Sequence, residues 1–433
     1  MRVFEPLRDF VGAEIAIPEP LELGRAPSRP LAFAIGFFFS FRLCIVLIAV
    51  RVLGAEPSTG SAMSIGLDML LFGLVCFNAL GAGQRTLVAT LRMPAIRWVL
   101  IFLAFSGLSL AWSETASMGD SIAYWLGLFL DVASAVLLMR RDAGTDEAHA
   151  VLRGFIWSTC LLAMIAWVMP APPDLRLGDE EFFNTNEIGN LCAFAIFFAQ
   201  YLTRTRCGRW RFAKVILVMT LIRSLSKATL AAFVVSEIFL VILDRSMSRK
   251  TRVLLTSSAL LLILVFWGLF EAYYEVYTTA GNQAETLTGR TAIWLYAANA
   301  TFDHIWTPWI GHGFDSWWKV VPPFGNEMFE ARHAENEVLQ QFYAYGAIGV
   351  LILAGIYGTL IWQVGRLAAQ ATRIPFLCLL IFVLVRGLAE ADAFDLLLPL
   401  WLIVLISALA CGGSAVDEQV PAGLSIEKQV LKA

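Results

Sequence analysis

An all-α integral membrane protein is the fold class this sequence predicts, and three observations carry the prediction. The chain of 433 residues is 58% hydrophobic and 15% charged, with a mean hydropathy of +0.69, whereas a soluble domain is about 45–50% apolar and about a quarter charged. Apolar runs recur along it, each long enough to cross a hydrocarbon core of about 30 Å as a helix of roughly 15–25 residues. Lysine and arginine gather in alternate connections, as expected of a chain that threads a membrane repeatedly.

Taken in order, residues 1–30 form a polar, proline-rich cytoplasmic segment without the pattern of a cleavable signal. About twelve spans follow, at 31–50, 62–81, 96–112, 121–139, 151–169, 187–203, 211–222, 228–243, 253–270, 336–364, 374–388 and 394–410. They divide the chain into spans one to nine (31–270), a long loop (271–335), spans ten to twelve (336–411) and a cytoplasmic tail (412–433). The seventh is too short to cross alone, which places its outer end in a protein-lined cavity. With both termini inside, the five inner loops carry 17 Lys and Arg and the six outer loops 8. Cationic residues retained outside against that bias are therefore of interest.

The long outward-facing loop between spans nine and ten is the natural place for function, because structureless connections of that length are uncommon in compact domains. Part of it reads as helix: GRTAIWLYAANATF sets Ile293, Trp294, Ala297 and Ala298 on one face. PPFGNEMF reads as a turn-rich connector. The seven cysteines, at 44, 76, 160, 192, 207, 378 and 411, form no CxxC pair, so neither a disulfide framework nor a zinc site is expected. A net charge of −3 suggests no nucleic-acid partner.

Three outer cations stand out: Arg223, Lys227 and Arg290. Ser226 is placed to cap the eighth span, which puts Lys227 in its first turn, where the positive end of the helix dipole disfavours a lysine by about 0.3–1 kcal/mol. Arg290 opens its helix under the same handicap. An anion reverses both penalties, since helix N-termini and cations together make phosphate sites; the plainer reading is that both side chains snorkel to lipid headgroups. His333 and Glu335 precede the tenth span, and either suits proton abstraction from a sugar hydroxyl with the other orienting it. The plainer reading there is an interfacial histidine and a carboxylate complementing the helix dipole. His304 and His312 read as loop structure, and His149 is cytoplasmic. Six of fourteen tryptophans (267, 294, 306, 309, 317 and 318) lie in or near the loop, as a membrane-interface belt or as platforms for sugar rings. Arg42, Arg386, Glu390, Asp392 and Asp395 are charges in or beside spans, costly there and functional hypotheses by default. The last four sit at the outer mouth of spans eleven and twelve, where they can also pair among themselves.

At these residues the chain resembles the O-antigen ligase and O-antigen polymerase superfamily of bacterial membrane glycosyltransferases. The resemblance covers most of the chain and is strongest from about 180 to 350. It rests on SLSKATL, then TGRTAIW, a turn in GHGFDSWW, and HAENEVLQQFYAYGAIG, with LAWSE and FFNTNEIGN as weaker matches upstream. Their order and spacing carry it more than any single motif. The sequence departs from the family pattern at one point: the usual histidine position falls on Glu335, with His333 two residues earlier, and the usual acidic position before Gly346 is Ala344.

The resemblance implies a GT-C-like helical fold in the bacterial inner membrane, with a partly helical periplasmic loop and the site facing the periplasm. It implies transfer of a glycan from a polyprenyl diphosphate carrier to an acceptor sugar hydroxyl, with no cofactor and no metal. Lys227 and Arg290 would hold the diphosphate with Arg223 assisting, and His333 or Glu335 would activate the acceptor. Arg332, Asn336, Arg386, Glu390 and Trp294 are candidates for contacting substrate. Lysine rather than arginine at 227 is more like the exopolysaccharide polymerase branch; the alternatives are a ligase that attaches the glycan to lipid A-core and, from a different class, a lipid-linked oligosaccharide flippase. The implied partners are the lipid-linked donor, an acceptor glycan or lipid A-core, the bilayer and a chain-length regulator.

Overall fold

A computed structural model describes residues 30–418 apart from 80–89, 140–143, 170–175, 179–182, 206, 245–247, 251, 254–256, 258–260, 262–263, 265–266, 269–286, 325–329 and 393–395. The expected N-terminal segment, most of the ninth span, the first part of the long loop, Asp395 and the end of the tail lie outside the described residues. Among those described the architecture is helical, with no sheet. The helices are α1 (Pro30–Arg51), α2 (Pro57–Ala79), α3 (Pro94–Ser109), α4 (Met118–Leu138), α5 (Gly144–Val168), α6 (Thr185–Arg204), α7 (Arg211–Arg223), α8 (Lys227–Leu243), α9 (Leu287–Ala300), α10 (Thr307–Ile310), α11 (Glu337–Gly365), α12 (Gln370–Arg386) and α13 (Leu400–Glu418).

Five helices are long and apolar enough to cross a membrane: Pro30–Arg51, Pro57–Ala79, Met118–Leu138, Thr145–Val168 and Glu337–Gly365; Pro94–Ser109 and Leu400–Cys411 are shorter apolar helices. The chain is thus an all-helical membrane protein, with five of the twelve expected spans meeting that standard. The last span starts later than expected, at Leu400 rather than 394. Pro399 suits the first turn, where its missing N–H breaks no helical hydrogen bond, and its carbonyl accepts from Leu402 and Ile403. α7 is short, at 13 residues. It is joined to α8 by Ser224, Leu225 and Ser226, all buried, with Leu225 at φ 56°. The turn is held from α6, where Thr185 Oγ1 donates to the carbonyl of Ser224.

Small residues set the closest helix crossing. A Cβ on Gly36 of α1 would lie 1.9 Å from the carbonyl oxygen of Val151, and one on Gly154 of α5 would lie 2.1 Å from that of Phe33. Glycine on both helices lets their backbones touch, the usual means of association where lipid removes the hydrophobic drive. Below this crossing Phe39 stacks on Trp401 of α13 at 4.0 Å. Arg42, an isolated charge in the sequence, is neutralised within the bundle. Its Nη2 donates to both carboxylate oxygens of Asp131 on α4, at 3.0 and 2.8 Å, with Asp68 of α2 at 3.7 Å. Burying such charges is tolerable because they are paired.

The described residues from α9 to the start of α11 are folded rather than slack. Ile293, Ala297, Ala300, Trp317, Val321, Ala331, Ala334 and Tyr343 make a second apolar core, so the expected helical face at Ile293 and Ala297 is the buried one. Its attachment depends on a break in α11 at Gly346 (φ 63°, ψ −158°). The break frees the carbonyls of Tyr343 and Ala344, which accept from His312 N at 3.0 Å and Gly313 N at 2.8 Å. The GHGF turn is bound on its other side to the α3–α4 connection. Glu114 N donates to the His312 carbonyl at 3.0 Å, Phe314 N to Ser109 Oγ at 3.0 Å, and Ser121 Oγ to Asp315 at 2.7 Å. His312 is structural, as the sequence suggested: its ring sits between Glu114 Oε2 at 3.0 Å and the Ala300 carbonyl at 3.2 Å, stacked on Tyr343.

The break requires glycine twice over. Its dihedrals lie where only glycine is at ease, at a cost of about 1–3 kcal/mol for other residues, and a Cβ would sit 2.3 Å from the backbone of Trp309. Gly346→Ala should therefore lower the melting temperature of the detergent-solubilised protein. Gly358→Ala, where a Cβ meets nothing within 4 Å, should leave it equal or raised, because alanine is the better helix former by about 1 kcal/mol. Equal melting of the two variants would refute the assigned role of the break.

Candidate functional site

Four helix ends meet beside the folded segment: the N-termini of α8, α9 and α11 and the C-terminus of α12. Asn336 caps α11, its Oδ1 accepting from Leu339 N at 3.1 Å while its Nδ2 donates to the Leu388 carbonyl at 3.1 Å. Glu337 N donates to the Gly387 carbonyl at 2.9 Å, which closes α12 against α11. Arg386, the last residue of α12 and 4% exposed, donates from Nε to Thr229 Oγ1 of α8 at 3.2 Å. Thr229 Oγ1 also accepts from Ser226 Oγ at 2.8 Å. This corrects the expectation that Ser226 caps α8. Ser226 occupies the N-cap position, but its hydroxyl serves Thr229 rather than a backbone N–H.

Between these ends runs a line of alternating charge. Arg290 Nη2 lies 3.2 Å from Glu335 Oε2; Glu335 Oε1 lies 3.6 Å from His333 Nδ1; His333 Nε2 lies 3.3 Å from Glu390 Oε1. Arg290, His333 and Glu335 keep 16–21% of their side-chain surface open, and Glu390 is buried at 4%. The backbone that presents Glu335 is strained, at φ 53°. A residue with a Cβ holds such a conformation only where its surroundings impose it. Here the Ala334 N–H donates to Gln340 Oε1 at 2.8 Å and the Trp294 indole donates to the Glu335 carbonyl at 3.4 Å.

The ring of His333 is held as an imidazolium. Burial alone lowers its pKa, but the carboxylates of Glu335, Glu390 and Asp392 outweigh burial and bring it to about 9. Burial likewise raises the Glu390 carboxyl, yet the hydrogen bond from His333 and the charges of Arg386, His333 and Arg290 leave it below the ordinary value. Two contacts compete at Nδ1: the Glu335 N–H, 3.3 Å away, needs a lone pair there, and the Glu335 carboxylate needs a proton. Three neighbouring carboxylates against one weak amide contact favour the proton.

His333, Glu335 and Glu390 are also the described residues whose donor atoms lie within 4.8 Å of one another, as metal ligands would. A single ion needs one ring nitrogen facing both carboxylates. Here the carboxylates approach opposite nitrogens and Arg290 shares Glu335, an arrangement suited to ion pairs.

The remaining predicted residues divide by role. Lys227 is the first residue of α8, exposed and two positions before Thr229; Arg223 ends α7, half-buried. Arg332 lies over the Trp318 ring at 5.3 Å. Asn336 and Trp294, taken from the sequence as substrate contacts, have their polar groups engaged in capping α11 and holding Glu335. Of the six tryptophans, Trp317 is buried and donates to the Ala331 carbonyl at 3.0 Å, whereas Trp306 and Trp309 are exposed. Sequence reasoning missed Glu187. It lies in the first turn of α6, solvent-exposed, and feels the charges of Asp392, Arg332, Arg386 and His333. A carboxylate opening an otherwise apolar span was the signal.

Because the folded protein holds the His333 proton more tightly than the unfolded chain, the imidazolium stabilises the fold fully below pH 6.5, the ordinary histidine value. That contribution is lost as pH rises through about 9. The melting temperature of wild type minus that of His333→Gln should be largest in mildly acidic buffer and shrink steadily towards alkaline pH. A difference independent of pH would show that His333 is neutral at rest.

Residues 212–354 match a protein-family model described as O-antigen ligase. The match takes in Arg223, Lys227, Arg290, Trp294, Arg332, His333, Glu335 and Asn336, while Glu187, Arg386, Glu390 and Asp392 lie outside it. Comparison with curated proteins gives no match. Through the region that carries most of its charged site, the chain is thus similar to O-antigen ligases.

Proposed function

We propose that this protein moves a glycan from a polyprenyl diphosphate carrier to the hydroxyl of an acceptor sugar, at the periplasmic face of the bacterial inner membrane, and that it polymerises repeat units. The observation that supports this reading most directly is the sharing of Arg290 and His333 by one carboxylate, Glu335, beside the N-terminus of α8. In the proposed reaction the acceptor oxygen attacks the anomeric carbon from the face opposite the diphosphate. The bond between that carbon and the phosphate oxygen breaks, the configuration inverts, and the hydroxyl proton passes to Glu335. The diphosphate departs as an anion stabilised by Arg290, Lys227 and Arg223 and by the dipole of α8. Fixed charges aimed at a developing anion usually contribute more to such catalysis than any other effect.

The base assignment follows from protonation. An imidazolium has no lone pair to accept a proton, so Glu335 takes that role and His333 holds it in place. Arg290 couples the two substrates. While it pairs with Glu335 the carboxylate is a poor base, and a bound diphosphate draws the guanidinium away and restores its basicity. Glu390 holds the far nitrogen of His333 and feels the charge of Arg386, and Arg332, Glu187 and Asp392 line the acceptor side.

A second reading, ligation of the glycan to lipid A-core, is favoured by the match to a family of O-antigen ligases. A flippase would place polar groups near the membrane midplane. The Arg42–Asp131–Asp68 group is the observation in its favour, but Arg42 is already paired with Asp131 at 2.8 Å.

Purified protein given a lipid-linked repeat unit should yield a ladder of lengthened chains; one transfer onto lipid A-core and no ladder would establish the ligase instead. Arg290→Ala should reduce transfer by at least about 10²-fold, the size of losing one preorganised charge, at unchanged membrane level. Glu335→Gln should cost about 10²–10⁴-fold, as loss of a general base does, and more than His333→Ala. If His333→Ala proves the more damaging, the ring is the base.

A further inference from the structure

The folded segment that carries Arg290 leaves a set of large apolar side chains on its outside. Leu295, Phe302, Ile305, Trp306 and Trp309 are 61–78% exposed. Their neighbours in sequence, Ile293, Ala297 and Ala300, fill the small core beneath, so the segment has already sorted its apolar residues and turns these five outward. Concentrated exposure of this kind on a monomer marks a contact surface.

The position of the set identifies the partner. The ring of Phe302 lies 5.9 Å from that of Phe342 on α11. Farther along α11 the exposed apolar residues are Ile348, Leu351 and Trp362. α11 is one of the helices long and apolar enough to cross a membrane, so the set continues a surface that faces lipid. The composition suits the boundary between headgroups and acyl chains rather than the hydrocarbon centre. Two tryptophans lie beside Asp303 and His304, both exposed, and tryptophan concentrates at that depth.

We infer that the turn Phe302–Trp309 inserts into the headgroup–acyl boundary of the membrane the protein spans, and that this anchor sets the depth of Arg290. α9 joins the two: from Arg290 to Ala300 the helix is about 15 Å long at 1.5 Å per residue. A guanidinium that meets a lipid-borne diphosphate must sit at the height of the membrane's own phosphates, and a rigid helix with a tryptophan foot holds it there. The depth-setting role rests on the function proposed above, whereas the anchor does not.

The test uses the full chain reconstituted in nanodiscs containing lipids brominated either near the headgroup or near the chain end. Tryptophan emission of wild type minus that of Trp306→Phe/Trp309→Phe isolates these two indoles. The anchor predicts that this difference is quenched at least about two-fold more by the shallow bromines than by the deep ones, as for residues inserted ~5–10 Å, and little by aqueous acrylamide. Quenching by acrylamide alone places the turn in water and overturns the inference; quenching by neither means that protein, such as a second copy of the chain, covers the turn, and overturns it equally. The second arm is transfer activity of Trp306→Glu/Trp309→Glu at equal membrane level. A loss of at least about ten-fold, corresponding to about 1.4 kcal/mol, supports depth-setting, and unchanged activity refutes it while leaving the anchor intact. Full activity of Arg290→Ala would defeat the functional reading without altering the quenching result.

Discussion

The site depends on one carboxylate shared between two cations. Glu335 faces Arg290 through one oxygen and His333 through the other, and the backbone that lets it do so is left-handed. An extended or helical residue there would point the side chain elsewhere, and the line of charge from Arg290 to Glu390 would be cut. The strain is met by neighbouring hydrogen bonds, one donated by Trp294 to the Glu335 carbonyl and one accepted by Gln340 from the Ala334 N–H, both on elements that the second core and the break in α11 hold in register. Strain kept in place by its surroundings is common where geometry serves chemistry.

Electrostatics explains why helix ends build this site. Lys227 begins α8 and Arg290 lies in the first turn of α9, where the dipole is already positive. Ser226 turns its hydroxyl to Thr229 instead of capping α8. A helix start that carries a lysine and no side-chain cap is costly alone and favourable with an anion. On the opposite side, Glu390, Glu335, Asp392 and Glu187 surround His333 with negative charge. One end of the bundle thus gathers cationic and acidic side chains, with Arg290 3.2 Å from Glu335.

Several motifs that carried the family resemblance turn out to be joinery. GHGF, LAWSE and Gly346 form a single clasp: Gly346 opens α11, the freed carbonyls take the His312 and Gly313 amides, and Ser109, Ser113 and Glu114 bind the same turn from the α3–α4 connection. They tie the segment that carries Arg290 to α11 and to the α3–α4 connection.

The sequence by itself determined the helical membrane class, the positions of most helices and the identity of the charges, because apolar runs and misplaced cations are local properties that survive any packing. It foresaw Arg290, His333, Glu335 and Glu390 as candidates, since charge beside lipid has a cost at any position. Tertiary structure alone decided their order. Whether His333 is acid or base depends on three carboxylates contributed by residues 335, 390 and 392, and Glu187 enters from a helix far upstream in the chain. The roles of Asn336 and Trp294 were also set there, because a cap and an indole hydrogen bond need partners that only folding supplies. Protonation and strain belong to juxtapositions, and juxtaposition is what a linear reading lacks.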